Sequence, residues 1–334
     1  MSRESVDGSA PFVSVVVVTY NSERTVGETL SSLTDQTYPT DRYELVVVDG
    51  GSTDGTEALV ADYDARFEVV EGGTIGACRN HGIDVASGDY VAFTDSDCAV
   101  PATWLRSHVD RLADAEDPIA GVGGPNRPFP DDPPFAKLVG SLQGTVFGSG
   151  GSPQSHAIGE VREVRSVACC NVMYDASVFE EHRFDGDVNV GEDAEFHFRL
   201  SEAGYRFQFD PAIAVSHHLS ATFGAFTKKS RSYGYAMARI QRRHGKLIRW
   251  YSALPSLALG GGTAATLADL ARRKARFVPL LLFVYLLVSG YATAQVYRDR
   301  RSPLALLIPV LLAAQYVYYG IGFLEGLTAS DRRA

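Results

Sequence analysis

The sequence predicts an α/β fold with a mostly parallel sheet flanked by helices, followed by C-terminal transmembrane helices. Short β-branched runs alternate with segments of helical spacing, which is typical of βαβ units. Polar loops follow the carboxyl ends of these runs, where ligands bind in open α/β sheets. The last third of the chain contains long uncharged stretches. At 334 residues the chain can bury one large core or two modest ones.

The strands and helices of the α/β part begin at residue 11. The continuous β-branched run 11–19 predicts a strand buried on both faces. A helix is expected over 23–33, where Val26, Leu30 and Leu33 recur at helical spacing. Further strands are predicted at 44–49, 67–72 and 90–97, and further helices from about residue 56 and over 76–88.

Beyond residue 120 the pattern loosens. A strand is expected within 167–174, a helix over 192–204 and a short strand within 205–211. We therefore predict a flexible N-terminus at 1–10 and one globular domain over 11–230, with halves at 11–119 and 120–230.

The C-terminal part of the chain, 251–334, predicts membrane helices. Residues 277–297 carry no charge and can cross about 30 Å of hydrocarbon, and residues 304–324 are similar. Residues 251–268 are a weaker candidate because they contain three consecutive glycines. The basic segment 231–250 precedes them, and its Lys246, Arg249 and Trp250 are typical of an interfacial anchor.

The sequence leaves two arrangements of the membrane region open. Two crossings would keep the globular domain, the tail and the basic cluster at 272–276 on one side. Three crossings would put that cluster outside, against the positive-inside tendency, but would bring the arginines at 298–301 inside.

The net charge and the cysteine spacing bear on the partner and on the redox compartment. The net charge of −9 argues against a nucleic-acid partner, because binding a phosphate backbone requires a concentrated basic face. The four cysteines show no C-x-x-C spacing, so we expect reduced thiols in a cytosolic domain.

The residues at three places in the chain are candidates for binding or catalysis. Tyr20 and Asp49 end neighbouring strands and can clamp a nucleobase, although an Asp-Gly-Gly turn also forms for backbone reasons alone. Asp95 and Asp97 end a hydrophobic strand and can hold a divalent cation that neutralises charge on a leaving diphosphate. Asp193 begins a predicted helix, where it can cap the helix or act as a general base toward a sugar hydroxyl.

The ordered segments VVDGGSTDGT, ASGDYVAFTDSD and RLSEAGYRFQFDP, over roughly residues 11–218, resemble family 2 glycosyltransferases of the GT-A fold. The resemblance implies that Tyr20, Glu23, Asp49 and Arg79 contact the nucleotide, and that Asp95 contacts its ribose or the metal. Many members have two acids where this chain has Asp49 followed by glycine, so the identity of the nucleotide stays open.

The same resemblance implies a metal centre and a base. Asp97 would be the principal ligand of Mg²⁺ or Mn²⁺, and Asp193 would be the base. His217 would complete the metal site, and its neighbour His218 could serve instead.

The basic segment resembles a subgroup that builds exopolysaccharide repeats or lipid-linked glycans. Arg231 could reach the donor diphosphate as a cationic clamp, or belong to a basic amphipathic helix on anionic headgroups. The expected protein is a multi-pass membrane enzyme with its catalytic domain facing the cytoplasm. It would move a sugar, with inversion, from a UDP- or GDP-sugar to a hydroxyl of a lipid-linked glycan.

Three alternatives stay open at this point. A polyprenyl- or dolichyl-phosphate monosaccharide synthase would use an anionic phosphate acceptor and need no base. A processive synthase would need more membrane helices for a polymer channel. A catalytically silent membrane scaffold that binds nucleotide sugars would belong to a different class.

Overall fold

The computed structural model describes residues 10–115, 118–153, 159–246, 253–273 and 275–329. These residues form two compact units. The first holds the described residues of Met1–Phe129 and Ala157–His218, and the second holds those of Pro130–His156 and Leu219–Ala334.

The first unit is an α/β domain whose strands and helices follow one another as expected. Its strands are β1 Val13–Thr19, β2 Tyr43–Asp49, β3 Arg66–Val69, β4 Tyr90–Asp95, β5 Cys98–Ala99, β6 Ile119–Gly123, β7 Asn126–Arg127, β8 Arg162–Val164, β9 Val172–Asp175, β10 Arg206–Phe209 and β11 Val215–His217. Its helices are α1 Val26–Thr34, α2 Thr56–Val60, α3 Ile75–Val85, α4 Trp104–Ala113, α7 Val178–Glu181 and α8 Glu192–Glu202.

The main sheet has the strand order β3-β2-β1-β4-β9-β6-β10-β8. Strands β3, β2, β1 and β4 are parallel neighbours, whereas β9 runs antiparallel between β4 and β6. A small second sheet has the order β5-β11-β7. The parallel half of the main sheet places the ends of β1, β2 and β4 at one edge.

The central strand β1 is buried on both faces, as its unbroken valine run predicts. Val13, Val15 and Val17 belong to one apolar cluster with helices α1 and α4, and Val16 belongs to the cluster on the other face. Because residues on a strand alternate between faces, one run of valines supplies both layers of the core.

The second unit is helical. It contains α5 Pro134–Gln143, α6 Val146–Ser149, α9 Phe223–His244, α10 Leu254–Arg272, α11 Phe277–Arg300 and α12 Ile308–Thr328. Two apolar helical segments, Phe277–Arg300 and Pro303–Thr328, are long enough to cross a membrane. Leu138 and Leu142 of α5 share an apolar cluster with Val296, Ile308 and other residues of these segments.

The observed elements differ from the predicted ones at several ends. The strand expected over 90–97 ends at Asp95, so Asp97 lies in the following turn and the two acids do not share one strand face. The strand expected within 167–174 is formed only by β9. Helix α8 ends two residues before Gly204, because Gly204 has a left-handed φ of 101°.

The division into units also differs from the predicted domain boundaries. Residues 130–156 belong with the C-terminal helices, since α5 buries its apolar side against α11 and α12, and the first unit ends at residue 218 rather than 230. The nucleotide and acceptor halves assigned to 11–119 and 120–230 stay a prediction. Residues 1–9 and the Arg249–Trp250 part of the proposed anchor lie outside the described residues.

Candidate active site

The ends of three parallel strands bring the first predicted site residues together. Thr19 of β1 is in register with Asp49 of β2, and Val18 is in register with Asp95 of β4. Tyr20, Asp49 and Asp95 therefore lie along one edge of the sheet.

The Asp49 carboxylate accepts hydrogen bonds from the turn that follows it. Its carboxylate oxygen Oδ1 accepts the backbone N–H groups of Gly51 and Ser52 at 2.8 and 2.5 Å, and Oδ2 accepts the Ser52 hydroxyl at 2.5 Å. The residue is only 2% exposed. This arrangement is an Asx turn, so a role of Asp49 in reading a nucleobase stays a prediction.

Tyr20 and Glu23 lie beside this turn. The Tyr20 side chain is 63% exposed, which leaves its ring free to stack on a planar ligand. Glu23 accepts the backbone N–H of Gly55 at 2.9 Å, and Asn21 accepts that of Thr53 at 2.9 Å. The loops after β1 and β2 are thus joined into one surface, with the Tyr20 ring exposed on it.

Asp97 and His217 form a carboxylate–imidazole pair. Strand β11 pairs with β5 so that His217 is opposite Cys98, and this pairing places the His217 Nε2 atom 3.5 Å from Asp97 Oδ1. Ligand atoms of Asp97, Cys98 and His217 all lie within 4.8 Å of one another. Oxygen and imidazole nitrogen donors at this spacing fit Mg²⁺ or Mn²⁺.

The two other candidates for this site are less suited to a hard cation. The Cys98 side chain is fully buried, burial raises the pKa of its thiol, and a soft sulfur is a poor ligand for Mg²⁺ or Mn²⁺. His218 stacks on Phe129 with ring centroids 4.0 Å apart, and its Nε2 lies 3.5 Å from Glu28. The geometry therefore favours His217 over His218.

Arg79 lies buried beneath the acids rather than at the surface. Its Nη2 atom is 3.0 Å from Asp95 Oδ1 and 3.3 Å from Glu192 Oε1, and its guanidinium lies 5.5 and 5.7 Å from the centres of the Phe93 and Phe184 rings. Within the described residues, Nε and Nη1 have no hydrogen-bond partner. The arginine thus joins the end of β4 to the start of α8, and direct contact with the nucleotide stays a prediction.

Burial and charge shift the titration of this group. Burial alone would lower the pKa of Arg79, but Glu192 and Asp95 raise it, so the guanidinium stays charged. Burial raises the pKa of Asp95, and it raises that of Glu192 to about 8, while Arg79 opposes both shifts. Two carboxylates thus share one buried guanidinium.

Asp193 lies in the first turn of α8 and is half-buried. Gly191 precedes this turn with a φ of 78°, a conformation that a side chain would disfavour. After burial, the Asp193 negative charge contributes to the raised pKa of its neighbour Glu192 and of Asp95. A carboxylate here can accept a proton from a hydroxyl bound near these acids.

Arg231 belongs to the second unit. Its guanidinium donates to both carboxylate oxygens of Glu325 on α12, with the Nε contact at 2.8 Å. A role of Arg231 as a clamp on the donor diphosphate stays a prediction.

Sequence reasoning missed Glu192 and Ser96. Glu192 directly precedes the candidate base Asp193, and an acid at this place in a helix start is a signal in itself. The Ser96 hydroxyl, between the two acids of the β4 end, lies 2.8 Å from the Ser22 hydroxyl and links the loops after β4 and β1. Its partner is 74 residues away, so the sequence held no signal for this link.

A mostly parallel α/β sheet whose strands end in acids is the architecture expected of a GT-A glycosyltransferase. The chain belongs to glycosyl transferase family 2, whose model matches residues 14–182. The model of glycosyl transferase family group 2 matches residues 151–321. The predicted family, fold and enzyme class are confirmed.

Relatives with known names are similar over most of the chain. A dolichyl N-acetyl-alpha-D-glucosaminyl phosphate 3-beta-D-2,3-diacetamido-2,3-dideoxy-beta-D-glucuronosyltransferase of Methanococcus voltae is 26% identical over 95% of this chain and 97% of its own. Glycosyltransferase AglE of Haloferax volcanii is 27% identical over 84% of this chain and 92% of its own.

A solved structure supports the fold. The mannosyltransferase PcManGT of Pyrobaculum calidifontis, in complex with GDP-Man and Mn²⁺, superposes with a TM-score of 0.63 at 22% identity. The match covers 96% of this chain and 88% of that one.

Proposed function

We propose that this family 2 glycosyltransferase is metal-dependent and inverting, and that it moves a sugar from a UDP- or GDP-sugar to a hydroxyl of a lipid-linked glycan. The observation that carries the proposal is the contact of Arg79 with both Asp95, two residues before Asp97, and Glu192, the neighbour of Asp193. It connects a cation site at one strand end to a candidate base at the start of α8.

Asp97 and His217 are the residues that would hold Mg²⁺ or Mn²⁺. The Asp97 side chain is 39% exposed, which leaves room for water and for oxygens of a donor on the open side. A divalent cation bound there would neutralise charge on the departing diphosphate.

Asp193 is the proposed base. It accepts the proton of the acceptor hydroxyl while that oxygen forms a bond to the anomeric carbon, and the bond from this carbon to the diphosphate oxygen breaks. Attack from the face opposite the leaving group inverts the anomeric centre. The Tyr20 ring stacks on the nucleobase of the donor, and Asp95 accepts a hydrogen bond from a ribose hydroxyl.

The lipid-linked acceptor rests on two supports. The Methanococcus voltae relative is named for transfer to a dolichyl phosphate-linked sugar. The second unit carries two apolar helices, which would hold the enzyme at the membrane where such an acceptor resides. Nucleotide sugars are cytosolic, so we propose a multi-pass protein whose first unit faces the cytoplasm.

The second candidate acceptor is the phosphate of a polyprenyl or dolichyl phosphate, the kind of lipid that carries the sugar in the name of the Methanococcus voltae relative. A phosphate is already anionic, so this reaction would not need Asp193. The two candidates therefore differ in what the Asp193→Asn variant does.

The test is a panel of nucleotide sugars incubated with full-length protein in membranes, with Mn²⁺, Mg²⁺ or chelator, followed by mass spectrometry of the extracted lipids. We expect a metal-dependent product heavier by one sugar, a rate about 10²- to 10⁴-fold lower in Asp193→Asn, and loss of product in Asp97→Asn. Full activity of Asp193→Asn would replace the hydroxyl acceptor by a phosphate. Absence of any transfer with every donor would favour a silent scaffold.

A further inference from the structure

Helix α12 is apolar enough to cross a membrane, but it packs against helix α9, which is not. Helices α9 and α12 run parallel in close contact. A Cβ atom on Gly234 would lie 2.0 Å from the carbonyl oxygen of Tyr319, and one on Gly322 would lie 2.0 Å from that of Arg231. Further along, Arg242 donates to the carbonyl oxygen of Ala329 at 2.6 Å. The two helices are therefore packed tightly against each other through glycines along the second half of α12.

Helix α9 is strongly basic. It contains no acidic residue, and its exposed side chains include those of Lys228, Lys229, Arg242 and Arg243. Arg231 is paired with Glu325 of α12. Ionised side chains are expensive in hydrocarbon, so a helix with this many of them stays at the membrane surface, facing anionic headgroups. Because α12 is locked to α9, it stays at the surface too.

Helix α11 has the opposite character. The first half of α11 is exposed on all sides. Its large apolar side chains are between 41% and 59% exposed at Phe277, Leu280, Leu281, Leu282 and Phe283. An apolar surface around the whole circumference of a helix requires hydrocarbon around it. The apolar residues 277–297 cover about 31 Å, which matches the thickness of the hydrocarbon layer.

The start of α11 is fastened to the end of α10. The Asp269 carboxylate accepts the backbone N–H groups of Arg276, Phe277 and Val278 at 2.9 to 3.2 Å. The end of α11 leads within a few residues to α12 at the surface. The start of α11 must then lie on the far side, and α10 is the segment that brings the chain across.

We propose that α10 and α11 form the membrane-crossing hairpin of this protein, and that α12 lies at the membrane surface beside α9. The proposal rests on the membrane location given under the proposed function, and it replaces α12 by α10 as the second crossing. The described part of α10 before Asp269 carries no charge, as a segment inside hydrocarbon requires. The tip at 272–276 lies on the far side, and the more numerous basic residues of α9 and 298–301 lie on the cytoplasmic side.

The test is labelling of single added cysteines by a membrane-impermeant maleimide in sealed vesicles of both orientations. The native cysteines Cys78, Cys98, Cys169 and Cys170 are all buried and stay in place. The added residues are Ala275→Cys at the tip, Asp299→Cys in the last turn of α11, and Val317→Cys on the exposed side of α12.

We expect Ala275→Cys to react only from the far side, and Asp299→Cys and Val317→Cys only from the cytoplasmic side. Crossing by α11 and α12 would reverse the first two results. Three crossings would leave the first two unchanged and protect Val317→Cys from both sides. Either pattern overturns the proposal.

The sugar-transfer assay keeps this result separate from the proposed function. Labelling of all three variants from both sides, with transfer activity intact, would remove the membrane crossing and leave the glycosyltransferase assignment untouched. Each cysteine variant is assayed for transfer first, so that a misfolded variant is recognised before it is labelled.

Discussion

Glu192 and Arg79 form a buried ion pair in which the carboxylate oxygen lies 3.3 Å from the guanidinium nitrogen Nη2. The same nitrogen contacts Asp95 at 3.0 Å. The pair therefore fixes the start of helix α8, with its candidate base Asp193, against the end of β4. Neither Glu192 nor Arg79 needs to touch a substrate for this arrangement to affect the reaction.

The Glu192→Gln variant tests this positioning role. The amide keeps the shape of the side chain but cannot share negative charge with Asp95 opposite Arg79, so we expect kcat to fall about tenfold with the donor KM nearly unchanged, since small displacements of a catalytic group are costly. Glu195→Gln is the matched control, because Glu195 is an equally buried acid of the same helix that pairs with Arg199 instead. An equal loss of kcat in both variants would contradict the positioning role.

The metal site is tested by His217→Gln and His218→Gln. His217 lies beside Asp97, so its replacement should weaken Mn²⁺ activation about 10- to 100-fold, and added Mn²⁺ should restore activity. His218 stacks on Phe129, and its replacement should leave the Mn²⁺ requirement unchanged. The measurement is transfer rate against Mn²⁺ concentration. The reverse order of effects would move the metal ligand to His218.

Tyr20 should contribute to donor binding but not to stability. Its side chain is mostly exposed, so Tyr20→Ala should change the free energy of unfolding by less than about 0.5 kcal/mol. Loss of a stacking ring should weaken nucleotide binding about fivefold or more, whereas Tyr20→Phe should bind normally. Calorimetric titration of the nucleoside diphosphate measures both. Equal binding by Tyr20→Ala would remove the stacking role.

The α9–α12 contact should tolerate no side chain at Gly322. A Cβ atom there would meet the backbone oxygen of Arg231, so Gly322→Ala should destabilise the second unit by about 2 kcal/mol or more. Gly260→Ala is the control, because no atom of the described residues lies within 4 Å of its added Cβ, and alanine should gain up to about 1 kcal/mol there. Thermal unfolding in nanodiscs compares the two, and equal stability of both variants would argue against the close packing.

His108 should make the first unit sensitive to acid. Burial lowers the pKa of His108 from 6.5 to about 4, its Nδ1–H donates to the Trp104 carbonyl, and its Nε2 has no partner among the described residues. The unfolded chain binds the proton first as pH falls, so stability is lost below about pH 6.5 and the loss reaches about 2 kcal/mol at pH 5.

The matched variant His108→Leu should lose this pH dependence between pH 6.5 and 4, even if its stability at pH 7 is lower. Denaturant unfolding followed by fluorescence of the buried Trp104 gives both curves. The same loss of stability with pH in the variant would assign the acid sensitivity to other groups.

The sequence by itself determined the α/β class, the family and the positions of the strands that carry the acids. Local signals were enough for this, because an unbroken run such as that of β1 needs two buried faces and the acids follow directly at the ends of such runs. The Asp49 turn was also readable, since an aspartate followed by glycines favours an Asx turn wherever it occurs.

Only the tertiary structure decided which of these groups meet. His217 lies opposite Cys98 through pairing of two short strands more than 100 residues apart, and Arg79 meets Glu192 across a stretch of similar length. The assignment of α5 to the helical unit and the contact of α9 with α12 likewise depend on packing between distant segments. Hydropathy describes the transfer of a single helix from water into hydrocarbon. A helix that packs tightly against a charged neighbour can enter the membrane only if that neighbour enters too.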